Sequence, residues 1–173
     1  NSGDGAGGAI AAAGDINGDG IGDLLVGAPT AAVATWAQSG VVYGVLGQAN
    51  RNSDVALAAL NGTNGGFVLK GTANSTYLGA SVAGRGDFNG DGLSDFVFGA
   101  PGKTLGQGEA YEMFGTSGAL TTLNGFSPVN LNPTSASFPT NDGVKMVAPA
   151  TFGLRTGEAV ATGCGGRRPG SPE

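Results

Sequence analysis

The chain is 173 residues long, room for one ordinary domain, with a formal net charge of −5 and charged residues at only 12%. Its 35 glycines and few charges do not build long amphipathic helices, while hydrophobic residues at 40%, gathered in short β-branched runs, argue against a disordered chain. There is no His, and Cys164 is the single cysteine, which removes Ser-His and Cys-His nucleophile pairs, most zinc chemistry and any internal disulfide.

The first predicted strand covers roughly 7 to 13, alternating small and apolar residues. The second, "DLLVGA" (23 to 28), is a continuous apolar run suited to a strand covered on both faces. The third, "GVVYGVLG" (40 to 47), carries an aromatic at Tyr43, and the fourth is "GFVLKG" (66 to 71). Gly, Pro and Asn-Gly signals separate them. The pattern then starts again. "DINGDGIGDLLVGAP" (15 to 29) aligns with "DFNGDGLSDFVFGAP" (87 to 101), 72 residues later, with nine of fifteen positions identical. Every other change but Gly22 to Ser94 exchanges one apolar residue for another. Upstream, "AGGAIAAAG" (6 to 14) lies over "LGASVAGRG" (78 to 86); downstream, "SGVVYGVLG" (39 to 47) lies over "QGEAYEMFG" (107 to 115). The second unit's strands are therefore 79 to 85, "DFVFGA" (95 to 100), "GEAYEMFG" (108 to 115) and "GVKMVA" (143 to 148).

A repeat of this length is a supersecondary unit stacked on its neighbours. Four-stranded antiparallel units at this spacing predict an all-β chain of β-propeller blades. The units are expected at 1–71 and 72–151, with 152–173 as the start of a third that runs into a disordered tail, "AVATGCGGRRPGSPE". Two blades cannot close a ring, so further blades in a longer chain, or other copies, are the expected neighbours. The start, "NSGDGAGG", lacks the basic segment and apolar core of a signal peptide and reads as the middle of something longer. The sequence has no stretch of 18 apolar residues, the length a membrane-spanning helix needs. No basic stripe with interleaved aromatics marks a nucleic-acid surface.

Six of the 13 acidic residues lie in two nine-residue windows. In Asp15-x-Asn17-x-Asp19-Gly20-x-x-Asp23, side-chain oxygens recur at positions 1, 3, 5 and 9; the Ile21 carbonyl at position 7 adds another, and Gly20 permits a sharp turn. Asp87, Asn89, Asp91, the Leu93 carbonyl and Asp95 repeat the set around Gly92. Calcium takes six to eight hard oxygens in irregular geometry, whereas magnesium demands a tighter octahedron. A hairpin turn needs an Asn-Gly or Asp-Gly pair, not three mutually repelling carboxylates in nine positions. The expectation is about two Ca²⁺, one per loop, and no catalytic residues.

The string "GDxNGDGxxDxxxGAP", preceded by Leu78-Gly79 and by Phe152-Gly153 at a third start, resembles the FG-GAP repeat. That repeat builds the seven-bladed propeller of integrin α subunits and many bacterial surface or secreted proteins. The "LNGTNGGF" linker resembles the bacterial versions more than the animal ones. The likeness covers roughly 6 to 153, with Ala6 and Leu78 where Phe is usual, and Phe152-Gly153 leading to no acidic loop. It implies that each loop joins a blade's first two strands and holds calcium. It also implies an extracellular or surface protein acting in adhesion or in binding a protein or carbohydrate ligand; the alternative is the non-catalytic propeller part of a larger secreted hydrolase of phospholipase type. Arg85-Gly86-Asp87 matches the tripeptide that adhesion receptors bind. With Asp87 committed to the loop and Arg85 in the preceding strand, that match is read as coincidence.

Overall fold

Strand patterning alone divides the chain into short β segments, and the computed structural model places them in two sheets. It describes residues 3–60, 65–102, 107–117, 129–130, 143–147 and 156–162. In chain order the strands are β1 (Ala9–Gly14), β2 (Asp23–Ala28), β3 (Val41–Val45), β4 (Gly66–Lys70), β5 (Val82–Gly86), β6 (Asp95–Ala100), β7 (Glu109–Met113), β8 (Val129–Asn130) and β9 (Gly143–Val147). A 3₁₀ turn, Leu57–Ala59, lies between β3 and β4. The fold is all-β, and each repeat forms a blade: β1-β2-β3-β4 in the first, β5-β6-β7-β9 in the second, each ladder antiparallel. The two blades leave the ring open.

The expected second, third and fourth strands fall where the apolar runs put them. The registers repeat as well: Val26 faces Tyr43 in the first sheet, and Phe98 faces Tyr111 in the second. Both inner ladders break at the same place, with a bulge between Ala12 and Gly14 and another between Gly84 and Gly86. A bulge adds a residue and bends the strand, and here it turns the chain out of the inner strand into the acidic loop. One strand was not foreseen: β8, from the second unit's sequence, pairs in parallel with β4 at the first sheet's edge.

The core lies between the sheets. Leu25, Val42, Phe67 and Leu69 alternate onto one face of the first sheet, as the two-residue period of a strand requires. They meet Phe96, Phe98, Tyr111 and Met113 of the second. Aromatic rings run through this interface: Phe67 to Phe96 at 5.6 Å, Phe96 to Phe98 at 6.1 Å and Phe98 to Tyr111 at 5.3 Å between centroids. Gly44 leaves the space that the Phe67 ring fills, since a Cβ there would stand 2.1 Å from the ring. The other face of the first sheet carries Ile10, 60% exposed, and Leu24, 39% exposed. At the matching position in the second blade Phe96 is fully buried, because the first blade covers it.

Successive units join by one device. Leu78, in the pair that opens the second unit, makes a single parallel bridge to Gly40 of the first blade, and Thr156 makes the same bridge to Gly108 of the second. Within each unit the opening glycine is also held to its own second strand: Gly79 donates its N–H to the Gly99 carbonyl at 2.8 Å, and Gly7 to the Gly27 carbonyl at 3.0 Å. The Ser81 hydroxyl donates to the Gly157 carbonyl at 2.8 Å. Thr156-Gly157 thus lies along the second blade as Leu78-Gly79 lies along the first; Phe152-Gly153, the expected start of a third unit, lies outside the described residues, as do positions 163–173 of the expected disordered tail. The Thr162 hydroxyl then donates to the Gly84 carbonyl, beside β5. These backbone approaches need glycine. A Cβ on Gly27 would stand 2.1 Å from the Gly79 carbonyl oxygen, so Gly27→Ala should cost about 1–3 kcal/mol, as other overpacking changes do. A denaturant midpoint equal to that of the unsubstituted protein would contradict this seating.

Candidate metal centre

Both acidic loops fold by one scheme, in which side-chain oxygens gather the loop's own amides. The Asp15 carboxylate accepts from Gly18 and Asp19 on Oδ1, at 2.8 and 3.0 Å, and from Gly20 on Oδ2 at 2.8 Å. Asn17 Oδ1 accepts from the Asp19 N–H at 3.1 Å, and Asp19 Oδ1 accepts from the Ile21 N–H at 2.8 Å. In the second loop Asp87 accepts from Gly90 at 2.8 Å and Gly92 at 3.2 Å, Asn89 from Asp91 at 3.0 Å, and Asp91 from Leu93 at 2.8 Å. Asn17 and Asn89 each donate a side-chain N–H to the Asp two residues on, both at 2.9 Å. Gly18, Gly20, Gly90 and Gly92 all have positive φ, where an L side chain is strained.

The position-9 aspartates behave differently from the rest. Asp23 and Asp95 begin β2 and β6 and are buried. Asp23 accepts from the Ile16 N–H at 2.8 Å on Oδ2 and from the Gly47 N–H at 2.8 Å on Oδ1. Asp95 likewise ties Phe88 and Gly115, the latter at 2.8 Å. Each thus pins the start of its loop to the end of the blade's third strand. Burial pushes both carboxyls above the ordinary aspartate range, against the pull of the amides that donate to them. Repulsion adds to the rise, from Asp19 and Asp15 on Asp23 and from Asp91 on Asp95.

The structure therefore brings Asp15, Asn17, Asp19 and Asp23 into one hydrogen-bonded loop, which Ile21 joins through its N–H; Asp87, Asn89, Asp91, Asp95 and Leu93 repeat the arrangement. Among the described residues, no three His, Cys, Asp or Glu side chains stand grouped as a ready metal centre. The reason is visible in the bonding: Asp23 and Asp95 face strand amides, and the remaining donors include an amide side chain and a main-chain carbonyl. The donor chemistry is still all hard oxygen; Asp15 Oδ1 accepts two amides, but Asp15 Oδ2 and both Asp19 oxygens accept one donor each and keep a further lone pair. That set fits calcium.

The repeat alignment left one position without an explanation, and the structure supplies it. Ser94, where the first loop has Gly22, accepts the Asp15 N–H on its hydroxyl at 3.1 Å and donates its own N–H to the Asp15 carbonyl at 3.0 Å. Arg85 is exposed in β5 with φ 74°, and Asp87 is held by the Gly90 and Gly92 amides.

The FG-GAP repeat family model matches residues 6–44 and 78–113. Integrin alpha-IIb of Mus musculus is 34% identical over 134 residues, which is 75% of this chain and 12% of that protein. Integrin alpha-3 of Cricetulus griseus is 38% identical over 114 residues, 66% of this chain and 10% of the relative. Phosphatidylinositol-glycan-specific phospholipase D of Mus musculus is 36% identical over 107 residues, 59% of this chain and 12% of the enzyme. The chain thus spans about a tenth of the length of these relatives. The expected leaning toward bacterial versions is not borne out, since these relatives are animal proteins. No helix among the described residues is long and apolar enough to cross a membrane. The chain carries two FG-GAP repeats, each forming one blade of an open β-propeller.

Proposed function

We propose that this chain is a calcium-stabilised segment of an extracellular or surface β-propeller that serves binding or adhesion. The observation that carries the reading is the duplication of one oxygen-rich loop. Two loops set 72 residues apart keep the same pattern of oxygen donors at positions 1, 3, 5, 7 and 9 and most of the same internal hydrogen bonds. Asp15, Asn17, Asp19, the Ile21 carbonyl and Asp23 would hold one ion; Asp87, Asn89, Asp91, the Leu93 carbonyl and Asp95 the other. Bound there, a divalent cation offsets carboxylate repulsion. The chain's own residues then do the structural work: Asp23 and Asp95 keep the loops tied to Gly47 and Gly115 at the ends of the third strands. The exposed Ile10 and Leu24 occupy the face that, in the second blade, is covered by a neighbour. We assign a further blade, within a longer chain or from another copy, to that face.

Calorimetric titration tests the reading. The unsubstituted protein should bind two calcium ions, and Asp19→Ala and Asp91→Ala should each remove one, with affinity on the order of 10⁻⁴ to 10⁻³ M as in extracellular modules. If both variants still bind two ions, the ligand assignment is wrong. A second reading, the non-catalytic propeller part of a larger hydrolase, is supported by the likeness to the mouse phospholipase D. It makes the same metal prediction and differs in the flanking sequence, where a catalytic domain would stand.

A further inference from the structure

The two loops are tied to each other by a closed circuit of hydrogen bonds that a single repeat could not make. Ser94 and Asp15 exchange two bonds, at 3.0 and 3.1 Å. The next residue in each segment continues the circuit: the Thr116 N–H donates to the Ile16 carbonyl at 2.9 Å, and the Gly115 N–H donates to Asp95 Oδ1 at 2.8 Å. The path runs Asp15–Ile16, Thr116–Gly115, Asp95–Ser94 and back to Asp15. Its members include position 1 of the first loop and position 9 of the second, one donor from each candidate ion site. The contact is close as well as bonded. A Cβ on Gly14 would stand 2.1 Å from Ser94 Oγ, and one on Gly18 would stand 3.1 Å from Leu93 Cδ2.

We propose that Ser94 is a positioning residue that couples the two loops, so that filling either raises the affinity of the other; this rests on reading both loops as calcium sites. Fixing Asp95 on an ion fixes Ser94 beside it. Ser94 then holds the main chain of Asp15, the residue whose carboxylate organises the first loop through three amides. Linkage makes the effect reciprocal. The first loop has Gly22 at the matching position, which has no hydroxyl to offer a preceding blade. The coupling is therefore a property of this pair of blades, not of the repeat as such.

The test is a calcium titration of the unsubstituted protein, Asp19→Ala, Asp91→Ala and Ser94→Gly, with folding of each confirmed by circular dichroism. Asp19 and Asp91 are exposed, so each single-site variant reports the other loop alone. If either alanine variant does not fold, the corresponding asparagine variant takes its place. The overall two-ion constant of the unsubstituted protein should exceed the product of the two single-site constants by about fivefold or more. In Ser94→Gly that excess should vanish while two ions still bind, and Ser94→Thr, which keeps the hydroxyl, should restore it. Two ions binding with a constant equal to the product overturns the coupling alone. An excess that survives Ser94→Gly overturns the role of Ser94. No calcium binding at all overturns the metal reading, and the coupling with it.

Discussion

Phe96→Ala should be the most damaging single substitution in the core, with an expected loss of about 3–5 kcal/mol. Phe96 is fully buried and stands in the middle of the aromatic run, 5.6 Å from Phe67 of the first blade and 6.1 Å from Phe98 of its own. Its removal leaves a cavity in the apolar surface through which the two sheets pack. The ladder on either side is fixed by register, with Gly84 and Met113 opposite Phe96. Phe96→Leu, the residue found at the matching Leu24, should cost much less, since it restores most of the volume. Equilibrium urea unfolding measures both. Equal midpoints for the alanine variant and the unsubstituted protein would mean that the sheets do not pack through this face.

Asp95→Ala should come second, at about 2–4 kcal/mol, through hydrogen bonding more than charge. Loss of the carboxylate leaves the N–H groups of Gly115 and Phe88 without the acceptor they share, and an unsatisfied buried group costs about 1–3 kcal/mol. Relief of the repulsion from Asp91 and of the cost of burying the charge offsets part of the loss. Asp95→Asn separates the two effects, because it keeps one acceptor and removes the charge. It should recover part of the stability seen without calcium and little of the calcium response. An alanine variant as stable as the unsubstituted protein in chelator would show that those amides find other partners.

Much of this was legible in the residues. Continuous apolar runs such as "DFVFGA" marked the buried second strands, because a strand covered on both faces has no polar alternation to hide it. The repeat fixed the pairing order, and the oxygen spacing marked both loops. What escaped depended on contacts between units. β8 pairs with β4 through two residues of an otherwise unremarkable stretch. The place beside Gly108 is decided by close backbone approach, and Thr156-Gly157, which no spacing marked, occupies it. Asp23 and Asp95 read as ligands equal to the others; their inward bonds to Gly47 and Gly115 follow from where the third strand ends, which spacing within the loop does not reveal. Ser94 did leave a trace, as the one polar exception in a conservative alignment.

Thermal melting in chelator, in calcium and in magnesium tests the central claim most directly. Each loop concentrates three carboxylates, and an ion that binds only the folded loop stabilises it by RT ln(1 + [L]/Kd). At millimolar calcium and a Kd of about 10⁻⁴ M that is roughly 1.4 kcal/mol per loop, or about 3 kcal/mol for two. The melting temperature should therefore fall by on the order of 10 °C when EDTA replaces calcium, and magnesium, which prefers a tighter octahedron, should restore little of it. Identical melting curves in EDTA and in calcium would contradict the account and make both loops ordinary turns.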